Sequence, residues 1–486
     1  MRRVEVRARH RALIAAALVI GEISCDGDRG RVEQPRDPSS TAGAAGDHVT
    51  EPAPSAAFLD APAGTLDRLF AGFAAAERGD PNGRALLVFF GDSHTAGDAM
   101  TSRLRVTLQT KFGDAGRGLV AAGKPRARHY YQRDVRYGAS GQWRSAIGGS
   151  RTDREPFGLV GIRVWGQQKG AQLWVATCDD CSAGARTGQF EVLYQAGPDH
   201  GLLRYRVDDQ PWQQLDTKTA EIEPPHPGRH VIPVADGSHK LTLEHGGNGM
   251  LELYGVVLER LRPGVIVDSL GIVGRRLVQL RSWDWSIIGE QLATRDPRLV
   301  VLQYGTNEAD DRLLDLQELA RSLDDTILRI RAAAPAASIL ILGPPDMGVR
   351  AAGKACDRRK PPAKPSNAAV DAPAAVDAGV APECTWRTPA VLEQIIAVQR
   401  AAAVRNRVAF FDTFAALGGP DRMDGWVNAD PRLAFKDHVH FTGAGYRMWA
   451  DALSSALLDG YDQWRRAHNV TQSPAGEPPR NAAASR

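Results

Sequence analysis

The sequence predicts an α/β fold: a helix-covered, three-layer α/β/α parallel sheet with a β-sandwich inserted into it. Three observations carry that expectation. Apolar runs that read as buried strands alternate with helical stretches toward both ends of the chain, the rhythm of a parallel sheet. Between them, from about residue 118 to 262, the texture changes to period-two alternation broken by turn formers. The 486 residues are 43% hydrophobic and 24% charged, the composition of a globular protein, and at roughly 150 residues per domain they leave room for more than one unit. This composition excludes a fully disordered chain, a coiled coil and a polytopic membrane protein. Sixty Lys and Arg against 57 Asp and Glu give a net charge of +3, too even for a general nucleic-acid binder.

The first element is the amino terminus. Arg2, Arg3, Arg7, Arg9 and Arg11 form a basic segment, residues 12–20 are apolar and uncharged, and Gly21, Ser24 and Cys25 are small. That layout describes an export signal over residues 1–25, with an apolar run too short to span a bilayer as a stable helix. Cys25, after Ile23 and Ser24, has the look of a lipoprotein attachment site, although Glu22 stands where an apolar residue is usual. Ordinary cleavage, with Cys25 irrelevant, is the other reading. A diacylated Cys25 would be a firm membrane anchor. The expected location is outside the cytoplasm, in the periplasm or anchored in the cell envelope. Residues 26–63, rich in Pro, Gly, Ala, Ser and charge, read as a disordered linker.

Setting Cys25 aside leaves Cys178, Cys181, Cys356 and Cys384. An even number in an exported chain favours disulfides, and the preferred pairing is Cys178 with Cys181 and Cys356 with Cys384. A metal or redox site at Cys178-Asp-Asp-Cys181 is the alternative, but zinc would want two more good ligands nearby. No cofactor or metal is expected, and a monomer is.

The remaining elements follow in order. Residues 64–117 form the first part of the α/β domain. Leu66, Leu69, Phe70 and Phe73 have helical spacing, residues 85–90 are an apolar run that ends in a turn at Gly91, and residues 101–112 read as the next helix. Residues 118–262 are the sandwich, with strands at 162–165, 172–175, 190–194, 203–207, 239–244 and 251–258, and turns at 235–238 and 246–249. Residues 263–467 resume the α/β rhythm, with strands at 265–267, 299–302, 338–342 and 408–411 and a helix over 313–333. Residues 353–383, low in complexity, read as a mobile surface loop, and 468–486 as a disordered polar tail.

Four sites carry chemistry. Gly91-Asp92-Ser93-His94 follows the strand at 85–90; a Ser on a tight strand-to-helix turn is exposed above the sheet and can attack a carbonyl. Its bland counterpart is Ser93 as a helix N-cap. Gly271-Ile-Val-Gly274 follows the strand at 265–267, where a glycine can present its N–H to a ligand, or merely turn the chain. Asn307, in Tyr304-Gly-Thr-Asn-Glu308, can donate its amide to a developing oxyanion or cap a helix. Asp437-His438-Val439-His440 places a carboxylate three residues before an imidazole, so that His440 can serve as general base toward a Ser. A metal bound by Asp437, His438 and His440 would need a further ligand.

These blocks, in this order, resemble the SGNH/GDSL hydrolases. Ser93 matches the first block, Gly274 the second (better than Gly271), Asn307 the third, and Asp437 with His440 the fifth. The longer strings at 91–98, 304–309 and 437–442 resemble the peptidoglycan O-acetylesterases of bacterial envelopes. The resemblance covers about residues 66–461. It implies a β-sandwich similar to a carbohydrate-binding module between the first and second blocks, where the β-rich segment lies. It implies catalysis by Ser93, Asp437 and His440, an oxyanion hole of Ser93, Gly274 and Asn307, and an acetylated cell-wall glycan as substrate. Acetyl transfer to an envelope polysaccharide by the same residues, and a non-catalytic glycan-binding protein, are the competing readings. His94 is expected to support the loop or line the cleft, not to act as base. Trp143, Trp165, Trp174, Tyr194, Tyr205, Trp212 and Tyr254 in the insert are sandwich core or sugar-stacking surface; glycan binding by them rests on the resemblance.

Overall fold

The computed structural model describes residues 55–125, 130–149, 156–350 and 386–470. The export signal, Cys25, Cys356, Cys384, the loop at 353–383, the expected linker up to residue 54 and the expected tail beyond residue 470 lie outside the described residues; the end of that linker is not disordered, because Leu59–Asp60 pairs with Ala409–Phe411 as a strand.

Six strands form the central sheet, in the order Leu59–Asp60, Ala409–Phe411, Ser338–Leu342, Leu299–Gln303, Arg84–Gly91 and Gly264–Gly271. All neighbours are parallel except the edge pair of Leu59–Asp60 with Ala409–Phe411. The strand Arg84–Gly91 explains the layering. Its side chains alternate between faces, as the pleat requires. Leu86, Val88 and Phe90 enter one core with Ile288, Leu292, Leu323, Ile327 and Ile395. Ala85, Leu87 and Phe89 enter the other with Phe73, Leu104, Trp449 and Leu453. The first core is covered by helices Trp285–Arg295, Leu316–Ala333 and Ala390–Asn406, the second by Asp67–Glu77, Ala99–Phe112 and Gly443–Ala467. A strand covered on both faces needs a continuous apolar run, and residues 85–90 supply one.

The insert is two antiparallel sheets that share one core. One holds Arg136–Ser140, Gln172–Ala176, Leu202–Val207, Gln213–Asp216 and Lys240–Gly247; the other holds Arg144–Ile147, Ile162–Gly166, Thr187–Ala196, His226–Gly237 and Leu251–Glu259, to which Gly116–Val120 adds. The expected turn at 235–238 is shifted: the strand His226–Gly237 runs through it, and the chain reverses at Ser238 and His239. That strand contains Pro227 and Pro233, which lack an N–H, and it lies at the edge of its sheet, where an unused donor costs nothing. The helix expected from 313 starts at Leu316, because Asp315 caps it by accepting from Gln317 N at 2.8 Å. Of the seven aromatic residues of the insert named above, Trp143, Tyr205 and Tyr254 are buried, whereas Trp165, Trp174, Tyr194 and Trp212 are half-buried. A disulfide joins Cys178 to Cys181.

Two ion networks tie the insert to the sheet. Glu259, ending a sandwich strand, pairs with Arg84, at the start of the Arg84–Gly91 strand, and with Arg295, which also holds Asp268 at 2.8 Å. In the second network, Asp98 accepts from Arg105 at 3.1 Å and Arg117 at 2.8 Å, and Arg105 also pairs with Asp134. All four groups are buried. Burial alone would raise the Asp98 carboxyl, but the two guanidiniums hold it below its ordinary range. Removing one partner of such a network strands the others without water. Arg105→Ala is therefore expected to cost about 3–5 kcal/mol of unfolding free energy, read by chemical denaturation; a loss below about 1 kcal/mol would show that water replaces the guanidinium.

Candidate active site

The register of the sheet assembles the site. Gly91 lies opposite Gly271 on one side and Gln303 on the other, so three of the four blocks leave the sheet side by side at its carboxyl edge. This is where ligands meet open α/β sheets. Two glycines make the turn after Gly91 fit. A Cβ on Gly91 would fall 2.3 Å from Thr95 Oγ1, and one on Gly271 would fall 2.2 Å from the Ala96 nitrogen. Gly271 thus serves close packing under the turn, and Gly274, with φ +72° and no atom within 4 Å of its Cβ position, is the open glycine.

Ser93 starts the short helix Ser93–Ala96 and does not cap it. Asp92 does, accepting from His94 N at 2.9 Å. Ser93 Oγ is left facing His440. Its hydroxyl donates to His440 Nε2 at 2.9 Å, and His440 Nδ1–H donates to Asp437 Oδ2 at 2.8 Å. The loop that carries both residues is self-organised: Val439 N and His440 N each donate to Asp437 Oδ1 at 3.0 Å. Burial by itself pulls the His440 imidazole down, but the hydrogen bond and charge of Asp437 outweigh it and raise it above the ordinary value. Burial likewise works to raise Asp437, and His440 with the two backbone N–H groups brings it to about 2.

His438 takes no part in that chain. Its backbone is left-handed at φ +57°, its ring stacks on Trp386 at 3.6 Å, and Asp424 meets its Nε2 at 3.1 Å. Both nitrogens of His440 are also engaged, so the residues at 437–440 do not converge as a ligand set. Among the described residues, the group with metal-ligand spacing is Cys178, Asp180 and Cys181, whose cysteines are disulfide-bonded. His94 is fully buried beside Phe441, Tyr446 and Trp449, with Nδ1 3.1 Å from the Tyr446 hydroxyl. Burial holds it well below the ordinary imidazole range.

Asn307 faces the second block. Its Nδ2 donates to the Arg275 carbonyl at 3.0 Å, which leaves one N–H of the amide for another acceptor. Glu308 locks the two blocks together, accepting from Leu277 N at 2.8 Å and Gly305 N at 2.9 Å. Glu308 and Asp92 are buried carboxyls, and burial raises both, Asp92 to about 7. Neither Glu308, Arg275 nor the Trp386–His438–Asp424 clamp was singled out from the sequence. Glu308 had a signal, standing three residues after Gly305 in the position from which an acidic side chain returns to the first N–H of a helix.

Residues 237–448 match the model of the GDSL-like lipase/acylhydrolase family. That stretch of the chain is similar to the family's domain. The match includes Gly274, Asn307, Asp437 and His440 but begins inside the sandwich and leaves out Ser93, which the fold brings to 2.9 Å from His440 Nε2. A solved peptidoglycan O-acetylesterase is similar to the chain at 24% identity, over 84% of this chain and 99% of its own, with a TM-score of 0.63. The two share a fold. Slighter likenesses are to an acetyl xylan esterase, at 16% identity over 40% of this chain and 81% of its own with a TM-score of 0.25, and to a family two carbohydrate esterase from Cellvibrio japonicus, at 11% identity over 68% and 99% with a TM-score of 0.24. No curated protein matches the chain.

Proposed function

We propose that this protein is an exported serine esterase that removes O-acetyl groups from a cell-wall glycan, peptidoglycan foremost. The observation that carries the reading is the hydrogen-bonded line from Ser93 Oγ through His440 to Asp437. With Nδ1–H committed to the carboxylate, Nε2 presents a lone pair to the hydroxyl. As Ser93 Oγ bonds to the acetyl carbonyl carbon, its proton passes to His440 Nε2, and Asp437 stabilises the imidazolium. The N–H groups of Ser93 and Gly274 and the free N–H of Asn307 receive the oxyanion. Collapse breaks the bond to the sugar oxygen, which leaves with the proton of His440. Water, deprotonated by His440, then attacks the acetyl carbon; acetate departs and Ser93 recovers its proton.

The wall substrate is supported by the fold shared with a peptidoglycan O-acetylesterase, and export by the basic–apolar–small pattern of residues 1–25. Among the described residues no helix is long and apolar enough to cross a membrane. The test is acetate release from O-acetylated peptidoglycan, with acetylated xylan alongside. Release from peptidoglycan is expected; release from xylan alone would keep the chemistry and remove the wall assignment. Asn307→Ala is expected to lower kcat by about 10²–10³-fold with little change in KM, the cost of one oxyanion donor. Steady-state kinetics on an acetyl ester reads it, and a rise in KM with kcat intact would make Asn307 a binding residue instead.

A further inference from the structure

We propose that Arg275 is a positioning residue through which the inserted sandwich aims the amide of Asn307, an oxyanion donor; the proposal rests on the esterase reading above. Arg275 touches both parts of the molecule. Its side-chain Nε donates to the Gly148 carbonyl at 2.8 Å, just past the sandwich strand Arg144–Ile147. Its own carbonyl accepts the Asn307 amide at 3.0 Å, and it directly follows Gly274 in the chain.

The sandwich side of this contact is built for it. Gly149 has φ +112°, and a Cβ there would lie 2.5 Å from Arg275 Nε and 2.6 Å from its Cδ. Gln279 donates to the Gly149 carbonyl, and the Trp283 ring fills the space against Gly148 and Gly161. Gly148 N donates to Gly161 O at 2.8 Å, which anchors the residue whose carbonyl Arg275 uses. On the catalytic side the turn is also held by Arg275 N, which donates to Ile272 O at 3.2 Å, and by Arg276 N, which donates at 2.9 Å to Oε1 of the same Gln279 that reaches the Gly149 carbonyl. Gly274 has nothing packed on its Cβ position, while the residues that follow it are held further along, by Glu308 on Leu277 N and Asp311 on Arg276. The carbonyl that the Asn307 amide bonds belongs to the Arg275–Arg276 peptide, and the Arg275 side chain ties that residue to the sandwich, so the grip bears on the amide plane of Asn307. Oxyanion donors tolerate little misplacement, and an error near 1 Å from a remote change can cost about 100-fold.

The experiment uses the full chain and p-nitrophenyl acetate, a small ester that carries no glycan. Arg275→Ala removes the grip. Gly149→Ala displaces it from the insert without touching the catalytic domain, and guards against misfolding of the first variant. Each is expected to lower kcat by about 10–100-fold with KM within about twofold. In an Asn307→Ala background the same changes are expected to cost less than about twofold more, because residues acting as one unit are not additive. Unchanged kcat in both variants, or losses that add in full to that of Asn307→Ala, would overturn the proposal. Should the wild type and Ser93→Ala be equally inactive on every acetyl ester, the esterase reading fails on its own account. Crystal structures of the two variants then decide the positioning claim: Asn307 Nδ2 displaced by about 0.5 Å or more supports it, and Nδ2 unmoved refutes it.

Discussion

Ser93→Ala and His440→Ala are each expected to lower kcat on an acetyl ester by about 10⁶-fold, and the double variant to fall no further than either alone. The reason lies in the shared proton. Ser93 Oγ is a weak nucleophile until His440 Nε2, 2.9 Å away, takes its hydrogen. Without the base the hydroxyl stays protonated, and without the hydroxyl the base has nothing to activate. The oxyanion donors remain in both variants, so a residual rate about 10³–10⁴ above water is expected. KM should hardly move, since neither change removes a binding contact to the ground state. The competing imidazole is His94, with rings 5.5 Å apart. It is buried and packed by Tyr446 and Trp449, so it cannot collect a proton from Ser93 and pass it to a leaving group. His94→Ala should therefore keep far more activity than His440→Ala. Equal losses in the two, at matched stability, would move the base to His94 and break the assignment.

How far the sequence could foresee this site depends on the kind of residue. The strand at 85–90 was legible because burial on both faces demands an unbroken apolar run, and the turn after it because Gly91 must meet Thr95 without a side chain. The sandwich strands that alternate cleanly, such as Leu202–Val207, were legible for the same reason in period two. The strand His226–Gly237 was not, because an edge strand with two prolines and exposed flanks has no such alternation. Helix Gly443–Ala467 carries a periodic face of Tyr446, Trp449, Leu453, Leu457 and Tyr461, a helical signal of the same kind. In the site, the proposed nucleophile, base and carboxylate stand in short motifs whose chemistry points to those roles. The residues that hold those motifs in place do not. Asp92 was passed over in favour of Ser93 as the cap, although both types cap helices, because only the turn geometry decides between them. Arg275 reaches Asn307 across 32 positions and Gly148 across 127, and a lone arginine says nothing of either partner.

Asp437→Asn is expected to lower kcat by about 10⁴-fold near neutral pH, the loss seen when the carboxylate of a comparable triad becomes an amide. Shape is kept and tautomer is lost. An asparagine can turn its oxygen or its NH₂ toward His440 Nδ1, and the NH₂ choice stabilises the imidazole with its hydrogen on Nε2, pointing at Ser93. The pH profile gives a second, independent reading. Catalysis needs neutral His440, so kcat/KM rises with pH as His440 loses its proton. In the wild type Asp437 raises His440 above its ordinary value, which places the acid limb above about pH 6.5. Asp437 itself, at about 2, stays ionised throughout that range. In Asp437→Asn the raising interaction is gone while burial, which lowers the imidazole, remains. The limb should then move to lower pH even as the plateau falls. A merely structural carboxylate would lower the plateau and leave the limb where it was. Retention of the wild-type limb in a folded Asp437→Asn variant would mean that another group holds the proton on His440, Asp92 being the other carboxyl that acts to raise it.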